Sequence, residues 1–287
     1  MKLINKVILK NSFDIAKSIK AGFVFIHLDV LGDYTPPEKT GGFQLVVVSE
    51  AQGPELEVIQ KKFSHVVTLP RVNLGRTGLV NVALAYAIFT NLIKNGDKVV
   101  FVAGNHENKL FDRILYFEIG KEYEGISSKQ VLGLSKTVNP AIVERLLNLA
   151  MELAAKGREG KRVGTIFVVG DHEKVLTLSK QLIINPFKGY EAKDCNILNP
   201  DLQETIREFS ALDGAFIIAE DGTLVTAGRY LGASGSNTEV QIGLGSRHVA
   251  AAGITALTNA LAIVISESTG NIRVFKEGKS LLEIERP

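Results

Sequence analysis

Three segments of this 287-residue chain combine residue types at spacings that suit chemistry: Asp213-Gly214-Ala215, Gly243-Leu244-Gly245-Ser246-Arg247-His248 and Ser266-Glu267-Ser268. Asp213 stands where a helical pattern gives way to a strand-like one. Alone, Asp-Gly is a turn; in a binding site the carboxylate holds a divalent ion or a ribose hydroxyl, and Gly214 lets a ligand approach the backbone. The second segment opens an alanine-rich helix through Ala250, Ala251 and Ala252. A first helical turn has unpaired N–H groups and partial positive charge, and glycines such as Gly245 admit an anion to it. Ser246 then caps the helix or binds phosphate. Arg247 works against the macrodipole by roughly 0.3 to 1 kcal/mol, which is poor for stability and sensible beside an anion. The alternative is a solvated Arg-His pair. Ser266 and Glu267 end an apolar strand pattern, where α/β folds commonly supply ligand groups, although both are ordinary turn residues. A fourth segment, the Gly/Ser-rich residues 228–238, is either a flexible loop or a slot in which Leu231 packs on a purine face.

The elements that must position these groups read as α/β. Phe-Val-Phe-Ile-His-Leu from Phe23, Gln-Leu-Val-Val-Val-Ser from Gln44, His-Val-Val-Thr-Leu from His65, Lys-Val-Val-Phe-Val-Ala-Gly from Lys98 and Arg-Ile-Leu-Tyr-Phe-Glu-Ile from Arg113 predict strands. Helical spacing covers residues 55–63 and 78–95. Residues 123–137 lack a periodic run and predict a linker. Asn139-Pro140 supplies an N-cap and first-turn proline for a helix ending at Gly157. A strand at Val163-Gly164-Thr165-Ile166-Phe167-Val168-Val169, a short helix after Asp171 and a helix announced by Asn199-Pro200 follow. Asp221-Gly222 between two apolar runs predicts a type I′ hairpin. The division expected is residues 1–137 and residues 138–287, the latter a mixed sheet flanked by helices and able to fold alone.

Composition narrows the classes. Hydrophobic residues are 45% and charged residues 22%, as in ordinary globular chains. Apolar runs fall well short of the roughly 20 residues that span a bilayer. Cys195 is the only cysteine, and no leader pattern is evident, so a reducing cytoplasm is expected. Residues 1–137 carry a net charge of +4 and residues 138–287 of −2. A basic stripe for nucleic acid is missing, and any triphosphate site must be built locally.

The order Asp-Gly-Ala-Phe-Ile-Ile, then Gly-Ser-Arg-His with its alanine-rich helix, then Val-Ile-Ser-Glu-Ser-Thr-Gly resembles the diadenylate cyclase family over about residues 140–284. The family resemblance implies an enzyme that condenses two ATP into cyclic di-AMP, with Mn²⁺ or Mg²⁺, in a homo-oligomer whose domains meet face to face. Its Asp-Gly-Ala and Arg-His-Arg motifs fall on Asp213, Gly214 and Ala215 and on Arg247 and His248. By that resemblance Asp213 serves the metal and the attacking hydroxyl. Ser246, Arg247 and His248 serve the phosphates, while Gly214, Ala215, Leu231, Gly245 and Ser266 surround the nucleotide. Val249 replaces the second arginine of the motif, and Ser268 stands where many members carry a second acid. These departures leave open a catalytically silent nucleotide sensor, and another purine nucleotide remains a second alternative. The first half resembles the C-terminal α/β domain of pyruvate kinase, and its joining to a cyclase domain is similar to the archaeal form of the family. A scaffold or effector-binding role is expected there.

Overall fold

The computed structural model describes residues 2–32, 36, 41–105, 107–123, 126–127, 138–232 and 245–286. Most of the expected linker, residues 128–137, and of the Gly/Ser-rich loop, residues 233–238, lies outside them, as do Gly243 and Leu244 of the second motif. The order begins with helix α1 (Leu3–Ser18), β1 (Phe23–His27), β2 (Gln44–Ser49), α2 (Pro54–Lys62), β3 (Val66–Thr68), α3 (Gly75–Phe89), β4 (Lys98–Asn105) and β5 (Leu110–Glu118). These strands form a sheet in the order β3-β2-β1-β4-β5, parallel except for the β4–β5 pair.

Alternation explains why β1 is buried along its whole length. Val24 and Ile26 face α1 in one apolar cluster with Leu9 and Ala16, while Phe23 and Phe25 face α3 in another with Val82 and Tyr86. A sheet covered on both faces needs such continuous apolar strands. Sequence periodicity missed α1, whose exposed Leu3, Ile4 and Val7 blur its polar face. It also ran α3 too late: the helix ends at Phe89, and Asn91 turns the chain with φ +57°.

The second sheet begins earlier than expected, with β6 (Glu122–Tyr123) at the edge of the stretch read as a linker and β7 (Ile126–Ser127) inside it. It continues with helix α4 (Pro140–Lys156), β8 (Thr165–Val169), α5 (His172–Thr177), β9 (Ser179–Gln181), α6 (Leu202–Phe209), β10 (Ala215–Ile218), β11 (Leu224–Leu231), α7 (Ser246–Leu257), β12 (Leu261–Ile265), β13 (Ile272–Lys276) and β14 (Lys279–Ile284). Its strand order is β6-β7-β14-β13-β12-β8-β10-β11-β9. Asn139 caps α4 by accepting from Ala141 N at 3.0 Å, and Gly157 closes it with φ +61°. The β10–β11 hairpin is not type I′. Only Gly222 has a positive φ, +89°, and Gly222 N donates to Ala219 O at 3.0 Å while Ala219 N donates to Thr223 O at 2.8 Å. This is the three-residue loop with glycine in the left-handed position.

Helix α3 joins the halves. One continuous apolar cluster contains Val82, Tyr86 and Phe89 of α3, Leu146, Leu147 and Ala150 of α4, and Leu282 and Ile284 of β14. The buried Tyr86 hydroxyl donates to Asn148 Oδ1 at 2.8 Å, and burial raises its pKa well above the ordinary tyrosine value. A boundary at residue 137 therefore passes through shared packing.

Candidate functional site

Parallel pairing of β8 with β10, and antiparallel pairing of β10 with β11 and of β8 with β12, bring four strand ends to one edge. The starts of β8 and β10 and the ends of β11 and β12 meet there, beside the N-terminus of α7. Asp213 precedes β10, and its side chain is 93% exposed. Arg247, in the first turn of α7, places Nη2 3.7 Å from Asp213 Oδ1 and donates from Nη1 to Glu267 Oε2 at 2.8 Å. Its guanidinium thus lies between two carboxylates from separate segments. A charge so placed is oriented before any anion arrives.

Gly164, overlooked by motif reading, makes this placement possible. A Cβ there would stand 2.7 Å from Arg247 Nη1, 2.7 Å from Glu267 Cβ and 3.0 Å from Glu267 N. The available signal was a glycine at the head of an apolar strand, which marks close approach. Gly214 has a different purpose from the one expected. With φ +106°, its missing Cβ would lie 2.6 Å from Arg229 N and 2.7 Å from Gly228 C, so it admits the neighbouring strand β11 rather than a ligand. Gly245 is the converse case. It has φ −66° and no described atom within 4 Å of the absent Cβ, so the described packing does not demand glycine.

Several assignments change. Gly245, not Ser246, is the N-cap, and Ser246 is exposed as the first helical residue with no acidic neighbour in that turn. Ala215 is fully buried and contributes only backbone to the edge. Leu231 turns into the apolar cluster under α7 with Ile166, Ala251 and Ile254, because alternation along β11 sends it inward, and Tyr230 is the exposed large side chain beside it. Ser266 is buried and supports its own turn: Oγ accepts from Thr269 N at 3.3 Å and lies 3.2 Å from Ser268 Oγ. Arg162 Nη1 donates to Ser268 O on the same turn.

His248 also points inward. It is 4% exposed, its ring edge packs on Phe275 with centroids 6.1 Å apart, and Nε2 lies 3.4 Å from Arg273 Nη1. Burial, then the adjacent Arg273 and Arg247 charges, outweigh the pull of Glu283 and lower its pKa to about 4. The imidazole is neutral near pH 7 and offers no positive charge to a phosphate. It anchors the turn that presents Arg247.

Of the divalent cations expected, Mg²⁺ and Mn²⁺ suit a donor set of one exposed carboxylate, because such ions keep waters and bind through one or two carboxylates plus substrate phosphates. Asp213, 93% exposed, would supply that carboxylate. Glu267 is committed to Arg247.

The edge thus joins, on a mixed α/β sheet, an exposed carboxylate, a first-turn arginine and a helix N-terminus bordered by Gly245. A family described as DisA bacterial checkpoint controller nucleotide-binding matches residues 152–280. A diadenylate cyclase of Methanocaldococcus jannaschii is 36% identical over 212 residues, 74% of this chain and 67% of that protein. One from Haloferax volcanii is 44% identical over 147 residues, 51% of this chain and 54% of that protein. A crystal structure of DacA from Staphylococcus aureus overlays 51% of this chain and 88% of its own, at 22% identity and a TM-score of 0.34. This chain belongs to the diadenylate cyclase family.

Proposed function

We propose that the chain condenses two molecules of ATP into cyclic di-AMP and two pyrophosphates. The observation that carries this reading is Arg247, held at the start of α7 between Asp213 and Glu267 on an open sheet edge. Each ribose 3′-oxygen attacks the α-phosphorus of the other ATP, the bond from that phosphorus to the bridging oxygen breaks, and pyrophosphate leaves with the electron pair. The hydroxyl proton passes to solvent or to a nearby carboxylate, for which Asp213 is placed. Arg247 and the N–H groups of the α7 turn neutralise phosphate charge, and positioning supplies most of the acceleration. A bound Mn²⁺ or Mg²⁺ would offset the remaining triphosphate charge from Asp213.

Two bonds must form, and each chain has one Asp213 and one Arg247, so the reading requires two chains with their edges face to face. Exposed Leu182, Ile183 and Ile184 beyond β9, with Tyr230 on the adjacent strand, give that side an apolar character suited to a second copy. Residues 138–287 are the proposed cyclase unit, and residues 1–137 its scaffold or effector-binding unit. No helix among the described residues is long and apolar enough to cross a membrane.

The opposing reading, a silent nucleotide sensor, draws on Val249, which is 41% exposed where a second arginine would serve. Incubating pure protein with ATP or GTP and Mn²⁺ and identifying products by mass separates the readings. Intact nucleotide under both conditions would remove the cyclase. The finer test is a heterodimer of wild-type and Asp213→Asn chains, purified through two tags. It is expected to form one phosphodiester normally and accumulate linear triphosphoadenylyl-adenosine. Normal yields of cyclic product would take Asp213 out of the chemistry.

A further inference from the structure

A cavity of about 670 Å³ opens at the carboxyl ends of β1, β2 and β4, lined among others by His27, Asp29, Glu50, Arg71, Asn73 and Arg113. The chain leaves β1 toward β2 on one side and returns to β4 on the other, so this crevice is the switch point of the sheet, where open α/β folds bind ligands. The cyclase chemistry does not use it.

His27 ends β1 and is 2% exposed. Neither of its ring nitrogens has a hydrogen-bond partner among the described residues; Nε2 faces Asp29 Oδ2 at 3.5 Å without hydrogen-bonding geometry. Buried polar groups are seldom left this way, and unmatched ones call for an explanation such as an ion. Asp29 is rigidly aimed. Ser49 Oγ donates to its Oδ1 at 2.8 Å and Glu50 N to its Oδ2 at 2.8 Å, the outer support that orients ligating carboxylates.

The ligand-capable atoms of His27, Asp29 and Glu50 all lie within 4.8 Å of one another. Donors about 2 Å from a shared ion lie within roughly 4 Å of each other, so a small rotation of partly exposed Glu50 closes the set. We propose that His27, Asp29 and Glu50 form a second metal site, specific for a divalent transition-metal ion whose remaining positions open onto the cavity. One imidazole with two carboxylates suits Zn²⁺, Mn²⁺ or Fe²⁺ and disfavours the all-oxygen preference of Mg²⁺. The inference is independent of the cyclase reading.

The test uses full-length, chelator-treated, nucleotide-free protein titrated with Co²⁺ and followed by visible absorption and by X-ray absorption of the bound ion. Wild type is expected to take one Co²⁺ per chain with imidazole nitrogen in the shell. His27→Asn and Glu50→Gln are each expected to weaken binding at least tenfold, and Asp213→Asn to leave it unchanged. Glu50→Gln guards against misfolding of the buried histidine variant, since its metal-free melt should match that of wild type. An all-oxygen shell, equal affinity in Glu50→Gln, or loss of the ion in Asp213→Asn would each overturn the site.

Discussion

Arg247 shows how one side chain satisfies folding and function at once. Its two carboxylate partners are solvent-exposed, and exposed ion pairs contribute little to stability. Removing it should therefore leave the melt almost unchanged. Against a triphosphate, the lost charge-assisted contact is expected to cost about 1.5 to 3 kcal/mol, roughly 10- to 150-fold in ATP affinity. Calorimetric titration of Arg247→Ala with ATP, beside its thermal melt, checks both halves; a collapsed melt would make the arginine a structural residue. His248 acts in the opposite sense. Its folded pKa of about 4 lies below the unfolded value of 6.5, so between these pH values the unfolded chain binds the proton that the folded chain refuses. Stability from this group is full above about pH 6.5 and is lost as pH falls toward 4, by an amount on the order of 3 kcal/mol. Denaturant melts of wild type and His248→Gln should diverge over that window, and parallel pH profiles would refute the buried neutral imidazole.

At the scale of elements, the edge depends on how closely strand ends approach. Gly164→Ala is expected to push Arg247 Nη1 aside, because the end of a long side chain yields more easily than the Glu267 backbone. Turnover should fall tenfold or more while Tm drops by about 2 to 4 °C, the equivalent of roughly 1 kcal/mol. An unaltered KM and kcat would show that Arg247 finds its place without this packing. Such contacts explain which parts were legible in the sequence. Asp213, Arg247 and the α7 start were visible because helix termini and Asp-Gly steps have local chemistry. The inward turn of His248 and Leu231 was not, since it depends on Phe275, Arg273 and Ile166, all far away in the chain. Likewise, the strands of the first sheet were plain from their β-branched runs, whereas β6 and β7 are two residues each and are defined by the pairing of β7 with β14 and of β6 with β7 rather than by composition.

For the whole molecule, the decisive element is α3. Every residue from Leu79 through Phe89 is buried, and a helix apolar on nearly all sides is one packed on all sides. That pattern was present in the sequence, and it argues against two self-sufficient cores. A fragment of residues 138–287 would uncover the faces of α4 and β14 that α3 covers. It is expected to melt well below the full chain or to aggregate, as large exposed apolar patches do. A cooperative melt of the isolated fragment at the full-length Tm would show that α3 is dispensable to it.

Leu74, Gly75 and Leu79 line the cavity of the first sheet, and Gly78 lies against Ile284 of β14. From β14, Glu283 holds Arg273, which faces His248, and His248 adjoins Arg247. Neighbouring groups thus run from the cavity through α3 and β14 to the edge that carries Arg247. A tilt of α3 would load, as a rocker arm does, the strand whose Glu283 holds Arg273 beside His248.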